Sequence, residues 1–284
     1  MGLYNIVNPT RLVAGQPEDV GDVLSNFYAI QAVLNGGIDD ANIRSTAAIQ
    51  LSKLLGYPND ATLAPRGDGS WLRTAPTRQV ITASGTYTLP VGVKAILVEC
   101  VGGGGAGGGS IAISSGQFST ASGGGGGAYA ASLIQAPAAT YAVVIGAGGA
   151  AASGAAGGAG TNTTFGATIV VADHGLGGIV AAVNQAVANG GGGGAVSNCT
   201  GDLRRNGQPG GPGIAIAVNV AISGHGGTAG NGAGAGQGVT NGVGGSPPPN
   251  SGAGGAGSCA QAGASGAQAG GAGGTGICIV WEFY

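Results

Sequence analysis

The chain has 284 residues; glycine and proline together make up about 27% of them, whereas only 7% are charged. A disordered chain would combine low hydrophobicity with high net charge, but here 43% of the residues are hydrophobic and the formal net charge is −2. A conventional enzyme is disfavoured because globular proteins carry ~25% charged residues, and the near-zero net charge disfavours electrostatic binding to nucleic acid or to an anionic membrane.

The two parts of the chain differ in composition. Residues 1–99 hold 15 of the 20 charged residues and 10 of the 66 glycines. We therefore predict a short, ordinary N-terminal part followed by a long glycine-rich domain. The N-terminus lacks the basic start and apolar core of a signal peptide, and no apolar run approaches the ~18 residues of a membrane span. We expect a protein that is made in the cytoplasm and is not inserted into a membrane.

A short amphipathic helix is predicted over residues 18–36. Pro17 and the acidic pair after it suit a helix start, and Gly36-Gly37 suits its end. A helix of this length is marginal alone in water, so it needs a partner, either the rest of a monomer or other copies of itself. We favour three copies. The apolar residues of the seam, which alternate in steps of three and four, are Val20, Val23, Phe27, Ile30 and Leu34.

The segment 39–56 also has apolar residues at helical spacing, so the helical, trimerising part is predicted over residues 18–56. Residues 57–79 are rich in turn formers and are predicted to be a connector. The glycine-rich domain is predicted over residues 80–284.

Segments of this domain that are rich in β-branched residues predict strands. The last one ends the chain in Trp-Glu-Phe-Tyr, and such an apolar terminus is expected to be docked in a sheet. We predict that it pairs with Lys94–Val101. The predicted strands cover residues 86–90, 94–101, 129–134, 140–145, 167–171, 214–222 and 277–284.

Glycine tracts separate these strands, and two interpretations compete. Flexible linkers would contain polar and charged residues, whereas these tracts contain alanine and few charges. Extended polyglycine II helices have three residues per turn and no internal hydrogen bonds, so they are stable only when neighbouring helices pair their backbone groups. We favour packed helices and therefore predict a mainly β domain with polyglycine-II-like helices. The tracts cover residues 102–109, 123–127, 146–160, 190–194, 207–213, 224–245 and 252–276.

No motif for catalysis, a cofactor or a metal is found. A dinucleotide loop after Val98 would need a following helix and a later acidic residue. His174 and His225 are too far apart in sequence, and too poor in nearby acids, to suggest a metal site or a triad. We expect no enzymatic activity and no cofactor. The cysteines lack zinc-type spacing and are expected to be free and buried, with disulfides as the alternative: Cys100, Cys199, Cys259 and Cys278.

Four pieces of the sequence stand in a characteristic order. They are residues 26–55, LAPRGDGSW at residues 63–71, TASGTYTLPVGVKAILVECV followed by a glycine run at residues 82–109, and GGAGGTGICIVWEFY at residues 270–284. In this order they resemble the shaft, the connector, the opening of the glycine-rich domain and its closing strand in bacteriophage tail-fibre and receptor-binding proteins with a C-terminal glycine-rich domain.

The resemblance implies a homotrimeric fibre or adhesin of the virion, assembled in the host cytoplasm. Residues 1–17 would attach it to other virion proteins. Stacked polyglycine helices would hold loops against a host-surface glycan or an outer-membrane protein. Two loops are candidate receptor contacts. They comprise Asp202, Leu203, Arg204, Arg205 and Asn206, where arginine can bind carboxylate or phosphate, and the stiff turn Pro247, Pro248 and Pro249.

Other functions stay open at this point. Within the virion, the chain could be a head fibre or a capsid decoration protein. Outside it, the chain could be a self-assembling or ice-binding glycine-rich protein. Ice binding requires a flat face of regularly spaced threonine or alanine, and the irregular glycine tracts argue against one.

Overall fold

The computed structural model describes residues 75–261, 263 and 265–284, two short strands before them, and seven separate residues near the N-terminus. The chain divides into two compact units, Met1–Ala61 and Thr62–Tyr284. Of the predicted seam, Phe27 and Ile30 are described; both have helical backbone and exposed side chains. Val20, Val23 and Leu34 lie outside the described residues, so the trimerising helix stays a prediction.

The second unit is mainly β, as predicted. Several observed strands coincide with predicted ones, and the predicted strand 214–222 is a hairpin of two strands. The strands are β1 Leu63–Pro65, β2 Trp71–Arg73, β3 Thr77–Ile81, β4 Gly85–Thr88, β5 Ala95–Val101, β6 Ser119–Thr120, β7 Tyr129–Gln135, β8 Thr140–Val144, β9 Thr163–Phe165, β10 Val170–Ala172, β11 Val187–Ala188, β12 Leu203–Arg205, β13 Gly213–Ala217, β14 Val220–Ile222, β15 Cys259–Ala260 and β16 Ile277–Phe283.

Two antiparallel sheets form a sandwich. The frame sheet has the strand order β12-β7-β5-β16-β3, and the second sheet has the order β10-β9-β8-β4. The predicted pairing of the closing strand with β5 is confirmed, since Cys278 lies opposite Cys100. The first and last strands that border the glycine-rich region are therefore joined side by side. All four cysteines are free and buried, as expected.

Aromatic packing fills the space between the two sheets. The ring of Phe165 lies 4.6 Å from that of Tyr141 and 5.6 Å from that of Tyr87, centroid to centroid. Inward-facing Ile96 and Val280 of the frame sheet belong to the same buried cluster. Because large aromatic side chains bury much apolar surface, this cluster is the main hydrophobic core of the described chain.

One carboxylate is buried at the edge of this core. Glu282 is 2% exposed and accepts hydrogen bonds from Thr77 Oγ1 and Gln79 Nε2, both at 2.6 Å, and from the Tyr87 hydroxyl at 2.9 Å. Burial, together with the bond to Glu282, raises the pKa of Tyr87. Three donors satisfy a charge that would otherwise be costly to bury.

The glycine tracts form extended segments whose hydrogen-bond partners repeat every three residues. This repeat is the period of a polyglycine II helix, and we call the segments PG1 to PG12. In chain order they cover residues 102–110, 121–128, 146–152, 155–161, 173–181, 189–195, 206–213, 223–230, 233–239, 242–247, 251–258 and 268–276.

PG2 shows how the repeat satisfies the backbone. The amides of residues 121, 124 and 127 donate to PG11, those of 122, 125 and 128 donate to PG5, and those of 123 and 126 donate to PG7. Its carbonyls accept hydrogen bonds from PG8, PG1 and PG6 in turn, with the same repeat of three residues. PG2 is therefore bonded to six neighbours, and every one of its residues is buried.

The described segments form a hexagonal bundle. PG1, PG2 and PG11 are fully buried and bonded to one another, and each has six neighbours. The other nine form a closed ring around them, each bonded to the next, in the order PG3, PG4, PG5, PG6, PG7, PG8, PG9, PG10, PG12 and back to PG3. The packed-helix interpretation of the glycine tracts accounts for these bonds, whereas flexible linkers would not form them.

The chain passes up and down this bundle, because PG1 runs away from the sandwich and each later segment reverses direction. Seven of the segments join directly to sandwich strands at one end, which we call the proximal end. In the described part of the domain, the opposite, distal end consists of six connections. They are residues 111–120, 153–154, 182–188, 214–222, 240–241 and, for the last, the described residues 259–261, 263 and 265–267.

Candidate binding surfaces

The predicted contact residues Asp202 to Asn206 lie at the proximal end. Leu203–Arg205 form β12, the edge strand of the frame sheet, rather than a loop. Arg204 and Arg205 line a polar surface groove of about 560 Å³. The strand was missed because its three residues are all exposed and its pairing partner, β7, lies about 70 residues earlier.

The proline turn also lies at the proximal end, where it joins PG10 to PG11. Ser251 Oγ donates to the carbonyl of Pro248 at 2.7 Å, and Asn250 N donates to Thr275 Oγ1 at 2.8 Å. PG8 and PG9 separate this turn from the arginines, because they lie between PG7 and PG10 on the ring. The two predicted contact groups share one end of the bundle but not one site.

The distal connections hold one another in place. The backbone amide of Asn184 donates to the carbonyl of Phe118 at 2.9 Å, and Asn184 Oδ1 accepts from the Phe118 amide at 3.1 Å. Ile113 and Ser265 exchange two backbone hydrogen bonds. These bonds link three of the six connections, so the distal surface is preorganised. No sequence motif marked it as a site.

An apolar sheet face is exposed at the distal end. β11, β13 and β14 form a three-stranded sheet whose inner side chains, Ala215 and Ala221, pack on Cys259. The outer side chains border a groove of about 330 Å³, and Ile216 is 82% exposed. Exposed apolar patches of this kind often mark interaction sites. The exposed apolar residues of this sheet are Val187, Ile214, Ile216, Val220 and Ile222.

Charge is confined to the proximal part of the domain. The charged residues after residue 75 belong to the sandwich or its connections, and the sequence has none from Asn206 to Trp281. The same holds from Val101 to Ala172, a stretch that includes two of the distal connections. The distal end therefore presents only uncharged side chains. The charged residues are Arg78, Lys94, Glu99, Asp173, Asp202, Arg204, Arg205 and Glu282.

Asp173, His174 and Cys199 meet at the proximal end. Asp173 Oδ2 accepts from the Ala195 amide and from Asn198 Nδ2, both at 3.0 Å, and Asp173 Oδ1 lies 3.2 Å from His174 Nδ1. Burial raises the pKa of the Cys199 thiol, which is the opposite of what a nucleophilic thiolate needs. This cluster closes the end of PG6 and has the character of a structural contact.

The fold and its surfaces define a class of protein: a β-sandwich that holds a hydrogen-bonded bundle of polyglycine segments and displays loops at the far end. The family model described as a glycine-rich domain matches residues 81–281, and the chain belongs to this family. No curated protein matches the chain. Among the described residues, no helix has the length and apolar character needed to cross a membrane.

Proposed function

We propose that this protein is a non-enzymatic structural protein of a phage virion, a tail fibre or adhesin whose distal end contacts the host surface. The proposal rests on the resemblance of residues 26–55, 63–71, 82–109 and 270–284 to phage fibre proteins. One structural observation carries the mechanism: the distal connections, three of which are joined to one another by hydrogen bonds, are supported by a bundle whose three central segments are each bonded to six neighbours. A rigid scaffold limits the conformational entropy lost when its loops bind.

The path of the chain supports the proposal that the distal end, rather than the proximal end, contacts the host surface. Thr77 pairs with Glu282 and Ile81 pairs with Cys278, so β3 enters the domain at the end of the frame sheet farthest from the bundle. The N-terminal residues, which would be attached to the virion, precede β3 in the chain, and the distal connections lie at the end of the domain opposite to the start of β3.

The outer face of the frame sheet supports a homotrimer. Its inner face packs on the other sheet, whereas its outer face carries partly exposed apolar side chains. Arg78 lies over the ring of Trp281, with 5.4 Å from Cζ to the ring centroid. A face of this kind would be covered by neighbouring copies, and three copies would raise avidity for a surface with many weak sites. Its apolar residues are Val80, Leu97, Leu133, Ile279, Trp281 and Phe283.

A trimer has a simple test. Light scattering on the purified full chain should give three times the mass of one chain at micromolar concentration. A monomer would remove the trimeric fibre from the proposal.

Replacing the two most exposed apolar residues of the β13–β14 hairpin should weaken binding to cells. Burial of one such side chain contributes about 1.5–3 kcal/mol, so the double variant Ile216→Ser, Val220→Ser should bind roughly tenfold or more weakly. The measurement is binding of fluorescently labelled protein to a panel of Gram-negative and Gram-positive cells. The unfolding midpoint should not change, because both side chains face solvent.

Val91→Ser is the matched control, since Val91 is 99% exposed but lies in the turn before β5 at the sandwich. It should leave cell binding unchanged. Equal binding by the control and the distal variant would remove the hairpin from the contact surface. Absence of binding to every cell type would instead favour the head-fibre or decoration alternative.

One observation favours the ice-binding or self-assembling alternative. The neighbouring ring segments PG12, PG3 and PG4 have an alanine repeating every third residue, half-buried in PG12 and exposed in PG3 and PG4, which gives rows with a repeat of ~9.3 Å along each segment. Thermal hysteresis of a solution of the protein tests this function directly, and its absence would leave the adhesin proposal as stated. The alanines are Ala269, Ala272, Ala147, Ala150, Ala156 and Ala159.

A further inference from the structure

The groove beside β12 has the composition of a ligand site. It lies where the connection between PG6 and PG7 faces the turn between PG8 and PG9, and its volume of about 560 Å³ is within the ~300–1,000 Å³ typical of small-molecule sites. Its lining is mostly polar. The side chains that matter are Arg204, Arg205, Asn206, Gln208, Thr228 and Asn231.

The two arginines give the groove a net positive charge. Asp202, the nearby acid in the same connection, accepts hydrogen bonds from Ser132 Oγ at 2.6 Å and from the Leu133 amide at 3.1 Å. These two bonds lower the pKa of Asp202 and hold its carboxylate against β7 rather than against the guanidinium groups. Neither arginine forms a salt bridge with another residue in the described part of the chain.

One hydrogen bond to the backbone fixes the position of the Arg204 side chain. Its Nη1 donates to the carbonyl of Cys199 at 3.3 Å, which leaves its other N–H groups for a ligand. The guanidinium of Arg205 makes no hydrogen bond to any described residue. Since each guanidinium carries five N–H donors, most of the donors of this pair are available.

Two asparagine side chains of the groove also have their NH2 groups available to donate hydrogen bonds. Asn206 Oδ1 accepts from the Val196 amide at 2.7 Å, and Asn231 Oδ1 accepts from the Ala233 amide at 3.1 Å. Both carbonyl oxygens are therefore occupied, and both Nδ2 groups remain to bind an acceptor. The groove thus contains many donors and no carboxylate, which suits a ligand that is anionic and rich in oxygen acceptors.

We propose that this groove binds an acidic saccharide. The guanidinium groups would bind its carboxylate or phosphate, for which their planar fork is suited, and the amides of Asn206 and Asn231 would bind ring hydroxyl oxygens. The site lies at the proximal end and goes beyond the proposed contact at the distal end. The two can fail separately, because neither shares a residue with the other.

Calorimetric titration of the full chain with a trimer of galacturonic acid tests the proposal, and the methyl ester of the same trimer is the uncharged control. The acid should bind and the ester should not, or only much more weakly. The double variant Arg204→Ala, Arg205→Ala should weaken binding roughly 10-fold to 100-fold, because charge-assisted hydrogen bonds are lost. Titration with mannose 6-phosphate separates a phosphate preference from a carboxylate preference.

Two further variants make the result specific. Lys94→Ala removes the same charge from an exposed position just before β5, at the end of the frame sheet away from the groove, and should leave binding unchanged. Asn231→Asp adds a negative charge to an exposed turn and should weaken binding with no change in the unfolding midpoint. Equal affinity for the acid and its ester, equal loss in Lys94→Ala, or no binding of either acidic sugar at millimolar concentration would overturn the proposal. Tighter binding of a single-stranded oligonucleotide than of both sugars would also overturn it.

Discussion

Gly107→Ala is expected to destabilise the domain by about 3 kcal/mol or more, the upper part of the range for overpacked cores. A Cβ atom built on Gly107 would lie 1.8 Å from the carbonyl oxygen of Ala256, in the neighbouring central segment PG11. Backbone cannot rotate away as a side chain can, so PG1 and PG11 would have to separate. Their separation would strain the hydrogen bonds that each makes to its other neighbours. Thermal or denaturant unfolding of the purified variant measures the loss.

Gly234→Ala is the matched control, because the same Cβ on Gly234 of the ring segment PG9 meets nothing within 4 Å. Its effect should lie between zero and a small stabilisation of about 0.4–1 kcal/mol, since alanine restricts the unfolded chain. Equal destabilisation by both variants would show that glycine acts through backbone freedom alone. A harmless Gly107→Ala would contradict close packing of the central segments.

Phe165→Ala should cost about 3–5 kcal/mol, as large-to-small changes of buried aromatic residues do. Phe165 is fully buried between Tyr87 and Tyr141 and belongs to the core that joins the two sheets. The sandwich holds the proximal ends of seven glycine segments, so the substitution should lower the stability of the bundle as well as that of the sandwich. Unfolding followed by tyrosine fluorescence and by circular dichroism should show one shifted transition.

Phe165→Leu keeps most of the apolar volume and should cost much less than the alanine variant. Val91→Ala changes a side chain that is almost wholly exposed and should have no measurable effect. If Phe165→Ala unfolded the sandwich but left the bundle intact at a higher temperature, the two parts would be independent. That result would contradict the role assigned to the sandwich.

Sequence patterns predicted the strands that are long and rich in apolar residues. The closing strand and Lys94–Val101 are long and apolar, and their pairing could be predicted because each borders the glycine region. β12 could not be predicted in this way, because Leu203–Arg205 are all exposed, two of the three are charged, and they form a strand only by pairing with β7. Short strands of two or three residues have no periodicity to detect.

The number of glycine segments was harder to predict than their nature. The tract 146–160 is one run in sequence but two segments in space, since Gly154 turns the chain with φ of +65°. The tract 224–245 spans three segments, which are separated at Gly232, with φ of +87°, and just before Gly242, with φ of +104°. A glycine that turns and a glycine that packs look the same in sequence, because both lack a side chain.

The candidate site was predicted in part. The arginine pair could be predicted because charged residues are rare in this domain. Asn231, on the other wall of the groove, lies in a different connection, and no sequence pattern identified it as part of a site. The distal hairpin was predicted as a single strand. Its apolar outer face became visible only when Ala215 and Ala221 were seen to face inward.

Amide hydrogen exchange, resolved by residue, tests the central claim most directly. In the central segments PG1 and PG2, consecutive amides donate to neighbouring segments and should exchange very slowly. In the ring segment PG4, Gly157, Gly158 and Gly160 donate to neighbours while Ala156 and Ala159 face solvent, so protection should repeat with a period of three. Slow exchange with this pattern is the predicted result. Rapid exchange throughout residues 102–276 would contradict a packed, hydrogen-bonded bundle, and the scaffold for the proposed adhesin would be lost.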